Sequence, residues 1–77
     1  MTVMLGELKT GDCGTVVAFC QSGLTYRRKL LAMGLTPGTA FRICRIAPMG
    51  DPIQLLVRGF QLSVRRDEAN VVEVDCL

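Results

Sequence analysis

The chain has 77 residues, of which 49% are hydrophobic and 21% are charged, and its net charge is +2. This composition is globular and excludes a disordered chain, and the small positive charge falls short of the basic surface expected of a nucleic-acid-binding protein. The length suits one small domain over residues 1–77, and no apolar run approaches the roughly 20 residues of a membrane-spanning helix, so we expect no direct membrane insertion.

The first half of the chain predicts a turn, a strand and a helix. The opening MTVMLGEL lacks the regions of a secretory signal, which favours a cytoplasmic protein. Residues 9–12, KTGD, are typical of a tight turn, and residues 14–19, GTVVAF, favour a strand because they are β-branched and aromatic. A helix is predicted at about residues 24–33, with Ser22 as its N-cap and Gly34 ending it.

The second half predicts strands separated by tight turns. The sequence TPGT predicts a type II turn, and APMGDP predicts a longer structured turn. The predicted strands are residues 40–46, 53–59, 60–66 and 71–74, and RDEAN forms a helical turn before the last of them. The residues predicted to shape turns are Gly11, Gly34, Pro37, Gly38, Gly50, Pro52 and Gly59.

These elements predict a mainly β fold with about five short strands and one inserted α-helix, at about residues 24–33. Strands at this spacing are typical of a small barrel or a sandwich. We expect a small β-barrel, because closure removes sheet edges that so short a chain could not cover.

The residue types that usually carry catalysis are sparse. Histidine, the commonest general base, is absent. Asp12 and Asp51 lie in predicted turns, where we expect their carboxylates to accept hydrogen bonds from backbone N–H groups. No glycine-rich phosphate-binding loop is present. We therefore expect no enzymatic activity, no cofactor and no metal site.

Four cysteines leave one alternative to that expectation. They are Cys13, Cys20, Cys44 and Cys76. Without a secretory signal we expect reduced thiols that pack as small hydrophobes, and the sequence has no C-x-x-C pair of the kind common in structural zinc sites. The alternative is a thiol-based sensor of a transition metal.

The predicted helix carries apolar residues on two sides. At 100° per residue, Tyr26, Leu30 and Met33 share one side, while Leu24 and Leu31 lie more than a quarter turn away. One side can pack on a small barrel, and the other would then lie near solvent beside the basic residues of RRK. Such a surface suits protein docking and would permit self-association. The competing interpretation is that flanking loops cover the second side.

Met49 offers a second candidate contact, because it lies at the tip of a predicted turn where a flexible hydrophobe is suited to docking. The candidate partner-binding residues are therefore Leu24, Tyr26, Arg27, Arg28, Leu31 and Met49. A surface ion pair between Arg65 and Glu68 is also predicted. A small-barrel nucleic-acid binder is the other alternative, although few aromatic residues are available for base stacking and we expect no nucleic-acid partner.

Several segments together resemble the ferrous iron transport protein A (FeoA) family. They are LGELKTGDCGTVV, YRRKLLAMGLTPGTAFRICRIAPMGDPIQL and LSVRRDEANVVEV, and they cover nearly the whole chain. The resemblance implies an SH3-like small β-barrel with an inserted helix. It also implies a non-enzymatic cytoplasmic accessory or regulatory protein that docks on the cytoplasmic G-domain region of a membrane ferrous iron transporter. Because the sequence offers no evident Fe²⁺ ligand cluster, we expect a role through protein contact.

Overall fold

The computed structural model describes residues 2–20 and 24–76, with the side chain of Leu24 excepted. The strands are β1 (Thr2–Met4), β2 (Cys13–Phe19), β3 (Ala40–Ile46), β4 (Ile53–Val57), β5 (Phe60–Val64) and β6 (Val72–Cys76). The helices are α1 (Leu24–Ala32), α2 (Arg66–Ala69) and a single 3-10 turn at Leu5–Glu7. The predicted N-cap, Ser22, lies outside the described residues.

All six strands form one antiparallel sheet in the order β1-β6-β2-β3-β4-β5. The fold is mainly β, with α1 inserted between β2 and β3, as predicted. The prediction of about five strands missed β1, which pairs with β6 and places Val3 opposite Val74. Three residues are too few to show an alternating pattern, and β1 depends on a partner at the far end of the sequence. Within the described residues the sheet stays open between β1 and β5.

The core lies inside the curved sheet. Register shifts between Val16 and Ala18 in β2 and between Ile43 and Arg45 in β3 mark irregularities of the kind that bend strands. The buried hydrophobic residues are Leu5, Val16, Leu30, Leu35, Phe41, Ile43, Ile53, Leu55, Val57, Val64, Ala69, Val72 and Val74. Each strand from β2 to β6 contributes to this core, and α1 adds Leu30.

The end of α1 is fixed by the glycine predicted to stop it. Gly34 has φ of 102°, a left-handed conformation that glycine adopts at low cost. Its N–H donates to the Leu31 carbonyl at 3.1 Å, and the Leu35 N–H donates to the Leu30 carbonyl at 3.0 Å. This pair of bonds is a Schellman motif, and it returns Leu35 to the core, where the residue is fully buried.

The turn after α1 is tied to the sheet. The Gly38 N–H donates to the Val16 carbonyl at 2.7 Å, and the Val16 N–H donates to the Thr39 carbonyl at 2.9 Å. Thr39 is buried, and its hydroxyl lies 2.8 Å from that of Thr36. These bonds hold the C-terminal end of α1 against β2.

The β4–β5 hairpin turns on Arg58 and Gly59, whose φ values are 52° and 83°. Two consecutive residues with positive φ define a type I′ turn, which suits a two-residue hairpin. The sequence predicts a reversal at Gly59 but not the left-handed conformation of Arg58, because arginine has no preference for it. The Arg58 side chain reaches the turn between α1 and β3, with its Nη2 3.4 Å from the Thr39 hydroxyl.

Candidate functional site: the surface of helix α1 and its neighbours

Helix α1 places apolar residues on more than one side. Leu30 is fully buried, and Tyr26 and Met33 are half-buried against the core. Leu31 is also half-buried, but it is not among the half-buried hydrophobic residues that pack on the described core. Leu24 was the other residue predicted on that side, and its side chain lies outside the described residues. The helix therefore buries one side and leaves Leu31 at the boundary with solvent.

The exposed side of α1 is positively charged. Arg27, Arg28 and Lys29 are exposed, and the helix sequence LTYRRKLLA contains no acidic residue. A half-buried leucine next to exposed arginines is the composition of a docking surface with an apolar part and a charged rim. We call Tyr26, Arg27, Arg28 and Leu31 the α1 surface.

Met49 lies on the turn between β3 and β4. Its side chain is 91% exposed. The loop is closed by hydrogen bonds from the Gly50 N–H to the Ala47 carbonyl at 2.7 Å and from the Ala47 N–H to the Pro52 carbonyl at 3.1 Å. A fixed backbone therefore presents a flexible apolar side chain to solvent, which is the arrangement expected of a contact residue.

The predicted turn roles of the two aspartates are confirmed. Asp12 accepts a hydrogen bond from the Lys9 N–H at 2.7 Å. Asp51 accepts one from the Arg66 N–H at 3.2 Å. The second bond joins the β3–β4 loop to the start of α2 and so fixes the base of the turn that carries Met49.

Glu68 joins α2 to α1. Its Oε2 lies 2.6 Å from Lys29 Nζ, and the Glu68 side chain is only 4% exposed. Its Oε1 accepts a hydrogen bond from the Arg65 N–H at 2.8 Å. The predicted surface pair of Arg65 with Glu68 was therefore wrong: Arg65 contributes its backbone, and the salt bridge is made by Lys29. The reason is local, because a glutamate three residues into a helical turn reaches back to the N-cap backbone.

The ionisation of Glu68 follows from these contacts. Burial alone raises the pKa of its carboxyl group, since an ionised carboxylate loses solvation. The hydrogen bonds from Lys29 and from the Arg65 N–H, together with the charges of both residues, more than offset that effect, so the pKa lies below its ordinary value. At neutral pH Glu68 is thus ionised and holds α1 in place.

An open cleft of about 350 Å³ lies beside the ion pair. Its lining residues are Lys29, Asp51, Pro52, Ser63, Val64, Arg65 and Glu68. The cleft is bounded by α1, by the β3–β4 loop and by the end of β5, so it adjoins the elements that carry both candidate contacts. Sequence reasoning missed it. The sequence feature that could have pointed to it was Glu68, because a glutamate at the third position of a helical turn is placed to bond the N-cap backbone.

The cysteines do not assemble with other ligands in the described part of the chain. All four are free thiols, and Cys13 and Cys44 lie near the backbone carbonyls of Gly11 and Arg42, at 3.7 and 3.9 Å. Among residues 2–20 and 24–76, no three histidine, cysteine, aspartate or glutamate residues come together as metal ligands. In the same residues, no helix has the length and apolar character needed to cross a bilayer.

These features define a class, namely a small domain with an SH3-like, barrel-like antiparallel sheet and an inserted helix. The FeoA domain model matches residues 3–76, which is almost the whole chain. The chain therefore belongs to the FeoA family, and this membership connects it with ferrous iron transport in an accessory role.

Individual relatives agree with this membership. The crystal structure of an iron uptake regulatory protein (FeoA) is 39% identical, with a TM-score of 0.86 and coverage of 100% of this chain and 99% of its own. FeoA of Stenotrophomonas maltophilia, crystallised with zinc and described as a prokaryotic SH3 domain protein, is 25% identical, with a TM-score of 0.80 and coverage of 95% and 89%.

A curated relative of Porphyromonas gingivalis is a fusion of Fe(2+) transport protein A with the Fe(2+) transporter FeoB. It is 32% identical over 73 residues, which are 95% of this chain. The chain spans 8% of the length of that relative. In that protein, an FeoA-like segment and the transporter are parts of one polypeptide.

Proposed function

We propose that this chain is a non-enzymatic, cytoplasmic accessory protein of ferrous iron uptake that docks on the cytoplasmic G-domain region of the membrane transporter. The observation that supports it most directly is the fusion in the Porphyromonas gingivalis relative, because two parts of one polypeptide are held at high local concentration and commonly act together. The contact is made by the α1 surface together with Leu24 and Met49.

The chemistry of these residues suits such a contact. Exposed arginines without a carboxylate on the same helix favour an acidic partner surface and accelerate association. Leu31 and Met49 supply apolar area that a partner can bury. The salt bridge between Lys29 and Glu68 keeps α1 in one position before the partner arrives, so less ordering is needed on binding.

Binding to the transporter's isolated cytoplasmic part tests this proposal. We expect Arg27→Glu to weaken binding about tenfold or more, because a charge of the wrong sign is placed at the interface, and we expect Met49→Ser to weaken it less. Arg42→Glu is the matched control, since Arg42 is an exposed arginine on β3 outside the α1 surface. Equal binding by folded Arg27→Glu and wild-type protein would overturn the role of the α1 surface.

A further inference from the structure

Strand β5 lies at the end of the sheet, with β4 as its neighbour. The type I′ turn at Arg58 and Gly59 makes Val57 and Phe60 a hydrogen-bonded pair, and the register then alternates along the strand. Phe60, Leu62 and Val64 therefore direct their backbone N–H and C=O groups towards β4. By the same alternation, Gln61 and Ser63 direct theirs away from the sheet, and both residues are exposed.

This edge is apolar at one end. Phe60 is 72% exposed, although Val57 directly opposite it is buried. Residues opposite each other in antiparallel strands place their side chains on the same face. An additional strand along β5 would consequently cover Phe60 with one of its own side chains.

The edge is also positively charged. The segment RGFQLSVRR, residues 58–66, contains three arginines and no carboxylate. Arg65 and Arg66 are exposed where β5 ends. Lys29 of α1 also lines the adjoining cleft, but its charge is paired with that of Glu68, and Asp51 lines the cleft as well. Among the described residues, the unpaired positive charge of the edge is therefore that of the arginines. Ser63 and Arg65 line the same cleft, so the strand edge leads into it.

We propose that β5 binds an extended, acidic segment of a protein partner as an added β-strand. The backbone groups of Gln61 and Ser63 supply the ladder, an apolar residue of the segment covers Phe60, and its carboxylates meet the exposed Arg65 and Arg66. Strand addition of this kind takes affinity from backbone hydrogen bonds and specificity from side chains. A second copy of this chain is disfavoured as occupant, because two β5 edges would bring their arginines together.

The proposal is independent of docking through the α1 surface. Arg27→Glu leaves β5 unchanged, and changes in β5 leave the α1 surface unchanged, so either proposal can fail alone. Arginines at a sheet edge also protect it from unwanted pairing. If that is their whole role, no peptide will add to β5.

Peptide titration of the isotope-labelled protein, followed by amide chemical shifts, tests strand addition. The probe is a blocked peptide of sequence EEVTVTVEE, and its control replaces every glutamate by lysine. We expect the acidic peptide to shift the amides of residues 60–66, and the basic peptide to leave them unchanged. Shifts in neither titration, or equal shifts in both, would overturn the proposal.

Two variants separate backbone pairing from simple charge attraction. Ser63→Pro removes an N–H that faces away from β4, a position where an edge strand tolerates proline, whereas Ser63→Ala keeps that N–H. We expect about tenfold weaker peptide binding for Ser63→Pro and little change for Ser63→Ala. Equal affinity of the two folded variants would contradict an added strand.

A change in the peptide tests the same hydrogen bonds without requiring that Ser63→Pro folds. In antiparallel addition, valines that cover Phe60 place the two threonines of the peptide opposite Gln61 and Ser63, where their N–H groups face β5. N-methylation of these threonines removes donors from the peptide alone, and it should weaken binding to wild-type protein by a similar factor. The Arg65→Glu variant should in turn lose its preference for the acidic over the basic peptide. Undiminished binding of the methylated peptide would be decisive against the ladder.

Discussion

Glu68 is the residue whose environment differs most from its expected one. Its carboxylate is buried and shared between Lys29 and the Arg65 N–H. A hydrogen bond to a charged group of this kind contributes roughly 1.5–3 kcal/mol, and an unmade one leaves a buried polar atom without a partner. The residue thus links the position of α1 to that of α2.

Replacing Glu68 tests this link. We expect Glu68→Gln to lower the free energy of unfolding at pH 7 by about 1–3 kcal/mol, since the neutral amide loses the charge-assisted bond to Lys29. Denaturant unfolding at pH 7 measures the change. Asp67→Asn is the matched control, because Asp67 is an exposed neighbour in the same helical turn, and it should cost little.

The same variant should alter the pH dependence of stability. Because the pKa of Glu68 is lowered in the folded protein, its contribution is complete above the ordinary glutamate value of about 4.3 and is lost as pH falls through the lower folded-state value. The stability difference between wild type and Glu68→Gln should therefore shrink below about pH 4. A difference that stays constant from pH 7 to pH 3 would contradict the assignment.

At the scale of the elements, the β4–β5 hairpin holds a residue in an unfavourable conformation. Arg58 has positive φ, which costs a non-glycine residue about 1–2 kcal/mol, whereas asparagine tolerates it better. We expect Arg58→Asn to stabilise the domain by roughly 0.5–1 kcal/mol, measured by denaturant unfolding. A clear loss of stability would mean that the contact with Thr39 matters more than the turn.

Most elements were predictable because their signals are local. The strand predicted at 40–46 forms as β3, and the helix predicted at about 24–33 forms as α1, Leu24–Ala32. The signal for β3 is the alternation of apolar and polar residues, and the signals for α1 are its helix-forming residues and the glycine that ends it. Each of these signals lies within a few neighbouring residues. The edge strand β1 was missed because its pairing with β6 joins opposite ends of the sequence.

The candidate site was less predictable because, like the pairing of β1 with β6, most of it depends on contacts between distant parts of the sequence. The exposure of Met49 follows from a turn signal. The salt bridge of Lys29 with Glu68 and the cleft beside it depend on how α1 packs against α2 and β5. No local pattern around Lys29 identifies its partner. Whether the α1 surface binds the transporter stays a prediction.

At the scale of the whole molecule, a protein that acts through contact with a partner differs from a metal sensor in whether it binds Fe²⁺ itself. We expect the reduced protein to show no tight stoichiometric binding of Fe²⁺, because the described residues bring no cluster of three ligands together. Anaerobic calorimetric titration measures this directly. Tight binding that is lost when Cys13 and Cys44 are replaced by serine would instead support the thiol sensor.

The pairing of β1 with β6 has a consequence for how the domain can be joined to other polypeptides. Thr2 lies opposite Asp75 in adjacent antiparallel strands, where Cα atoms are about 5 Å apart. The start of β1 and the end of β6 are therefore side by side on one rim of the sheet. A polypeptide that enters the domain at β1 and leaves it at β6 does so at one place, so the domain could be inserted into a surface loop of a host protein without stretching either connection.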